Sequence, residues 1–190
     1  MAILYRGNGP GSYWHVNDPR ITGFVPTSPG GWPSVSRLTD HIAAVSVRSP
    51  YTSFTRSYGV ARHYALVGPT GLASASCPGY VWEIEISDDK ICKMLDPVIE
   101  IASTLSRPYD QLSYQHDGDP RFLLGVVDPL RMSHILGALR PQPPGAGGTP
   151  RPANLSPQLE ALVRCLRDAE ILVEGSVPAG LVRSRLEVVP

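Results

Sequence analysis

Short strand-forming runs and helical segments follow one another in this chain without the regular strand-helix alternation that marks a parallel doubly wound sheet. The first run, at residues 2–7, is apolar and predicts a buried strand that ends at Arg6 and Gly7. Further strand-like runs lie at residues 51–55, 79–87, 90–96, 169–175 and 184–189. This order predicts an α+β fold with mostly antiparallel strands, and we expect residues 79–87 and 90–96 to form a hairpin.

Helical segments lie between these strands. Residues 34–47 carry spaced apolar side chains, and Ser57 is placed to cap a helix that follows the strand at 51–55. Asp-Pro pairs at 96–97 and 128–129 are typical helix starts, as is Pro157 after Ser156. Residues 141–154 are rich in proline and glycine and predict a loop inside a single domain of residues 1–190.

The composition narrows the classes of function. Lys and Arg together number 17, as do Asp and Glu, so no basic surface for nucleic acid is indicated. Cys77, Cys92 and Cys165 are widely spaced and suit neither a disulfide framework nor a zinc site. The N-terminal apolar run is too short for a signal peptide, and no stretch reaches membrane-spanning length. We expect a protein made in the cytosol, with no membrane association.

Several familiar ligand-binding motifs are incomplete or absent in this sequence. The glycines of GNGPGS, residues 7–12, have the wrong spacing for a dinucleotide fingerprint, and no helix is expected directly after them. The acidic residues of HDGDP, at 116–120, lack the distal glutamate of a calcium loop. No phosphate-binding loop or HExxH helix is found. No metal site is therefore predicted.

Three polar groups remain at the ends of predicted strands. They are Arg6, the hydroxyls of Ser53 and Thr55, and the acidic pair Asp168 and Glu170. Each has an ordinary explanation when taken alone, because strand-end charges usually face water and hydroxyls before a helix usually cap it. Their order along the chain is the more informative feature.

That order resembles the NAD-dependent mono-ADP-ribosyltransferases of the cholera-toxin-like Arg/Ser-Thr-Ser/Glu class, a class of bacterial toxins and effectors. The matching pieces are YRG at 5–7, SFT at 53–55 before a helix, and DAEILVEGSVP at 168–178. The resemblance implies an ADP-ribosyltransferase-like fold, a mostly antiparallel split β-sandwich flanked by helices. It also implies that NAD is a substrate and that ADP-ribose passes to an acceptor.

The resemblance assigns the catalytic roles to two carboxylates. Cleavage of the bond between nicotinamide and ribose passes through an oxocarbenium-like centre, and Glu170 would place negative charge beside it. If Asp168 lies on the same strand, two residues earlier, both carboxylates point to one face. Asp168 would then orient or deprotonate the acceptor, although the family usually has Glu or Gln at this position.

The resemblance assigns the binding of NAD to residues of the first two strands. Arg6, between Tyr5 and Gly7, would give the pyrophosphate the paired hydrogen bonds of a guanidinium. Ser53 would contact the cofactor ribose or the glutamate, and Thr55 would support the site from behind.

Several alternatives stay open. An NAD glycohydrolase would use the same site with water as acceptor, and a catalytically inactive binding module could share the fold. We expect a protein acceptor rather than a nucleic acid or small molecule. A toxin of this kind can be delivered to another cell without a cleavable signal and can have an immunity or antitoxin protein as partner.

Overall fold

A computed structural model describes residues 1–43, 48–87, 91–103 and 157–190, without the side chains of Leu159 and Val163. The strands are β1 (Ala2–Asn8), β2 (Tyr51–Thr55), β3 (Val67–Gly68), β4 (Gly71–Leu72), β5 (Gly79–Ile86), β6 (Lys93–Leu95), β7 (Glu170–Glu174) and β8 (Val182–Val188). The helices are α1 (Tyr13–Val16), α2 (Pro19–Thr22), α3 (Val35–Ala43), α4 (Tyr58–Ala65), α5 (Pro97–Ala102) and α6 (Pro157–Asp168), with a 3₁₀ turn at Ala179–Leu181. The helix start predicted at 128–129 and the loop predicted at 141–154 lie outside the described residues.

Six of these strands form one sheet in the order β6-β7-β2-β1-β5-β8, and every pairing between neighbours is antiparallel. β3 and β4 form a separate two-stranded ribbon. The predicted α+β class with mostly antiparallel strands is confirmed. None of the described helices is both long enough and apolar enough to cross a lipid bilayer.

The sheet is divided between its two central strands. β1 and β5 are in register over seven positions, and β2 and β7 over five. β1 and β2, by contrast, pair only at Tyr5 and Thr55. The sheet therefore consists of two three-stranded halves, β6-β7-β2 and β1-β5-β8, that separate along a seam between β1 and β2.

One face of both halves is covered by a shared apolar core. Phe54 of β2 is 3 % exposed, as expected for the residue that points away from Ser53 and Thr55, and its ring meets Phe24 edge-on. Fully burying an aromatic or aliphatic side chain contributes about 1.5–3 kcal/mol, so this cluster holds the two halves together. Its members include Leu4, Phe24, Phe54, Trp82, Ile84, Ile86, Ile171 and Val173.

Helices cover the other face. α3, α5 and α6 pack on the half that contains β2 and β7, where Leu38, Leu162, Leu166 and Leu172 are buried. α4 packs on β1 and β5. This contact is very close, because a Cβ added at Gly7 would lie 1.8 Å from the carbonyl oxygen of Ala61. Glycine at position 7 is thus a packing requirement.

Two sequence-based expectations differ from the structure. The prediction that residues 79–87 and 90–96 form a hairpin is wrong, because β6 pairs with β7 rather than with β5. β6 gains there an ion pair between Lys93 and Glu174, and Met94 packs against the shared core. No helix was expected directly after residues 7–12, but two one-turn helices follow there, and the second is capped by Asp18 with Pro19 at its first position.

Candidate active site

A cavity of about 310 Å³ opens at the seam, on the helix-covered face of the sheet. Its walls come from β1, β2 and β7 and from helices α3, α4 and α6. All seven residues predicted for the site line this cavity: Tyr5, Arg6, Gly7, Ser53, Thr55, Asp168 and Glu170. Residues from three distant parts of the sequence therefore share one site.

Arg6 reaches across the seam where the pairing of β1 and β2 has stopped. Its Nη1 donates a hydrogen bond to the carbonyl oxygen of Ser53, and its guanidinium carbon lies 6.0 Å from the centre of the Phe24 ring. Burial lowers the pKa of Arg6 to about 10, although the charge of Glu170 opposes this shift. Arg6 is therefore still cationic at neutral pH.

Part of this guanidinium is unused within the described residues. The Nε atom of Arg6 is buried and has no hydrogen-bond partner there. No described carboxylate lies within ion-pair distance of Arg6 either. A buried cationic donor without a partner is costly, and it is suited to an anionic ligand group.

Glu170 and Ser53 lie on neighbouring strands of the same half-sheet. Burial, followed by the negative charge of Asp168, raises the pKa of Glu170 to about 7. A hydrogen bond from Ser53 and the charges of Arg167 and Arg6 act in the opposite direction. Glu170 therefore changes between neutral and ionised forms near physiological pH, which is a common property of catalytic carboxylates.

His41 also lines the cavity, and the sequence reasoning missed it. Its Nε2 lies 2.7 Å from Oγ of Ser53. Burial, followed by the charge of Arg6, lowers the pKa of His41 to about 4, so the ring is neutral at pH 7. Nε2 of His41 forms a hydrogen bond with the Ser53 hydroxyl, and Ser53 is in turn a hydrogen-bond partner of Glu170. His41 and Ser53 thus orient the Glu170 carboxylate.

A sequence signal for His41 did exist. It lies on α3 three residues after Leu38 and next to Ile42, both of which are buried. A histidine among the apolar positions of a predicted helix is placed to face the interior, where it needs a polar partner. That partner, Ser53, lies on a different element, so the sequence could indicate a buried histidine without locating it.

Thr55 supports the site from behind. Its hydroxyl donates to the carbonyl oxygen of Asp168 at 2.6 Å and accepts from the amide of Ser57 at 3.0 Å. Thr55 therefore joins the end of β2 to the end of α6. Ser57 in turn accepts from the amide of Val60 and caps α4, as predicted.

Asp168 is not in a strand, so the prediction that it shares a strand face with Glu170 is wrong. It is the last residue of α6, and the chain reaches β7 through Ala169, whose φ of +46° is left-handed. The helix continues this far because Leu166 is still buried in the core beneath it. The hydrogen bond from Thr55 to the Asp168 carbonyl then satisfies the helix end.

The Asp168 carboxylate is held by its own chain. Nε and Nη2 of Arg167 donate to its two oxygens, both at 2.7 Å, and the Tyr64 hydroxyl donates to Oδ2 at 2.7 Å. Burial has the largest single effect on the pKa of Arg167 and lowers it, but the hydrogen bonds to Asp168, the charge of Asp168 and the contact with Tyr64 together raise this pKa above its ordinary value. Burial also raises the pKa of Tyr64 above its usual range, so the phenol remains a donor.

Other aromatic residues near the site have different roles. Tyr5 lines the cavity, and its ring meets Tyr58 edge-on at 5.7 Å. Trp82 is 1 % exposed in the shared core.

The part of the chain that the structure describes has no group of three or more His, Cys, Asp or Glu side chains that could hold a metal ion.

Comparison with known proteins gives one similar structure. No family model matches the chain, and no curated protein does. A solved structure described as "CARDS toxin, nicked" is similar over 97 % of this chain, with 15 % sequence identity and a TM-score of 0.45. The chain spans 25 % of the length of that toxin.

Proposed function

We propose that this protein is an NAD-dependent mono-ADP-ribosyltransferase. The observation that carries the proposal is the convergence of Arg6, Ser53 and Glu170 on one cavity. Within the described residues neither Arg6 nor Glu170 forms an ion pair, so the cation and the carboxylate are both available to a ligand.

The cavity fits the charged parts of NAD. Its volume is at the lower end of the range for small-molecule sites, about 300–1,000 Å³, which suits part of a dinucleotide. Arg6, with its buried unpartnered Nε, would bind a phosphate of the pyrophosphate. Glu170 would lie on the ribose side of the bound molecule, where its carboxylate accepts a hydrogen bond from a ribose hydroxyl.

The ionised form of Glu170 supplies the main catalytic effect. As the bond from ribose C1′ to nicotinamide breaks, nicotinamide leaves with the electron pair and positive charge develops on the sugar. A fixed carboxylate beside that charge lowers the barrier, because its orientation is set before the reaction by Ser53 and His41. The acceptor then forms a bond to C1′ and releases its proton to solvent.

Water is a second candidate acceptor, which would make the protein an NAD glycohydrolase. One observation favours it: Asp168, the carboxylate predicted to activate an acceptor, already accepts three hydrogen bonds from Arg167 and Tyr64. Both candidates share the cleavage of NAD and differ only in the nucleophile.

The test is to incubate the purified protein with NAD labelled in its adenylate part, with and without cell extract. Chromatography measures nicotinamide and free ADP-ribose, and gel analysis measures label on macromolecules. We expect release of nicotinamide together with labelling of an extract component. Release with only free ADP-ribose as co-product would identify a glycohydrolase, and no release under either condition would refute the proposal.

A further inference from the structure

The carboxylates at and behind the cavity differ in their pairing. On α6, Arg167 holds Asp168 with two hydrogen bonds of 2.7 Å. One turn earlier, Nε and Nη2 of Arg164 lie 3.2 and 2.8 Å from Oε1 of Glu160. Glu170, in contrast, has no ion pair within the described residues.

The two pairs on α6 are shielded from water to different degrees. The side chains of Arg167 and Asp168 are 7 % and 15 % exposed, and that of Arg164 is 33 % exposed above a Glu160 that is 3 % exposed. A partly buried bidentate pair is expensive to open, because each separated charge would lose its partner without full hydration. The ion pair between Arg167 and Asp168 is therefore expected to persist in solution.

The pairing of Arg167 with Asp168 limits which acceptors can bind beside the sugar, an inference that rests on the proposed function. A cationic acceptor such as a guanidinium needs a carboxylate to hold it beside ribose C1′. Glu170 is committed to the sugar, and Asp168, two residues earlier, already binds a guanidinium from its own chain. Tyr64 donates to the same carboxylate and fills a further acceptor position.

We propose that Arg167 is a specificity-determining residue that excludes cationic acceptors by occupying Asp168, so that the natural acceptor is an uncharged nucleophile. In the transfer, the bond between C1′ and the oxygen, nitrogen or sulfur of that nucleophile forms as nicotinamide leaves with the electron pair of the broken bond. The nucleophile's proton goes to solvent, and no oxidant or reductant is needed.

The experiment uses agmatine, a small guanidinium compound, as the probe. Wild type, Arg167→Ala and Arg167→Gln are compared with Arg164→Ala, which removes the other cavity arginine of α6 but leaves the pair of Arg167 and Asp168 intact. Thermal unfolding with and without agmatine measures binding to the vacated carboxylate independently of any reaction. Incubation with NAD measures nicotinamide and ADP-ribosyl-agmatine. Arg167→Gln keeps a donor near Asp168, and it replaces Arg167→Ala if the alanine variant does not fold.

We expect agmatine to raise the melting temperature of the Arg167 variants but not that of wild type or Arg164→Ala. Transfer to agmatine relative to hydrolysis should rise roughly tenfold in the Arg167 variants, as one charge-assisted hydrogen bond would give. Efficient transfer to agmatine by wild type, or no agmatine effect on the melting temperature of a folded Arg167 variant, would overturn the proposal. Absence of nicotinamide release from wild type would refute the proposed function instead, and the thermal measurement would still decide whether Arg167 blocks a guanidinium subsite.

Discussion

The two ends of strand β7 carry the same residue in contrasting surroundings. Glu170 begins the strand and Glu174 ends it, and both point to the face on which Leu172 is buried. Glu174 forms an ion pair with Lys93 at 2.9 Å, and the Lys93 side chain is 65 % exposed. Glu170 lies in the cavity with the Ser53 hydroxyl as hydrogen-bond donor, and burial raises its pKa to about 7.

The difference shows how the fold separates stability from function. A surface carboxylate beside a lysine is well solvated and contributes little to folding. A carboxylate in a cavity without a paired cation is costly to keep ionised, so it is a strong candidate for chemistry. The seam makes this possible, because the divergence of β1 from β2 leaves space beside the first residue of β7.

Removing the cation of the cavity should have a large effect on NAD cleavage. We expect Arg6→Ala to lower kcat/KM for NAD by roughly 100-fold, through loss of charge-assisted hydrogen bonds to phosphate. Nicotinamide release under subsaturating NAD measures this value. Arg183→Ala is the matched control, because Arg183 lies on β8 and pairs with Glu85 at 2.8 Å, away from the cavity. Equal losses in the two variants would mean that Arg6 has no special role.

Adding one carbon at the cavity end of the sheet should be more damaging than adding it at the far end of β7. We expect Gly7→Ala to destabilise the fold by about 3 kcal/mol, because the new Cβ would collide with the carbonyl of Ala61 on α4. Gly175→Ala has open space and is penalised only by its φ of +80°, by about 1 kcal/mol. Urea denaturation of both variants tests this order.

The pH dependence of cleavage should reflect the first glutamate of β7. Its ionised form is the catalytic one, so kcat/KM is expected to rise with pH and reach half its maximum near the Glu170 pKa of about 7. Burial lowers the pKa of His41 to about 4, so His41 stays neutral across this range and does not cause the rise of kcat/KM with pH. A rate that is constant from pH 5.5 to 8.5, measured by nicotinamide release, would contradict this assignment.

The same pKa shifts act on stability with opposite signs. Glu170 has a folded pKa above its ordinary value of 4.5, so its contribution to stability falls as pH rises from 4.5 to about 7. His41 has a folded pKa below its ordinary value of 6.5, so its contribution rises between about 4 and 6.5. Glu170→Gln should therefore make the free energy of unfolding increase more steeply with pH, as denaturation at several pH values would show.

The smallest effect is expected at the exposed end of β7. Lys93→Ala removes the ion pair with Glu174, and the unfolding free energy should change by less than about 1 kcal/mol because both groups are hydrated. Cleavage of NAD should be unchanged. A marked loss of activity in this variant would show that the two ends of the strand are coupled.

The features that the sequence predicted well are local. The strand at 51–55 and its capping Ser57 were predictable because β-branched and aromatic residues favour extended chain and a serine hydroxyl satisfies a helix start. The strand β7 was predictable from its own apolar run. The grouping of Arg6, Ser53 and Glu170 is not local, and it was predicted from the order of the three motifs along the chain. All three line one cavity in the structure.

The features that could not be predicted from the sequence depend on tertiary contacts. Strand partners are not encoded in the alternation of side chains, so β6 was assigned to β5 instead of β7. The helical state of Asp168 depends on burial of Leu166 and on the hydrogen bond from Thr55, which come from other parts of the fold. His41 was missed because its partner Ser53 is supplied by a different element.

The most direct test of the central claim compares Glu170→Gln with Glu174→Gln. Both substitutions replace a glutamate by its amide on the same face of the same strand, but position 170 lies in the cavity and position 174 pairs with Lys93 at the other end of the strand. With matched circular dichroism spectra, we expect Glu170→Gln to lower nicotinamide release by roughly 100-fold to 1,000-fold, and Glu174→Gln to retain the wild-type rate. Similar rates in the two variants, with wild type active, would show that the carboxylate in the cavity does not drive the cleavage of NAD.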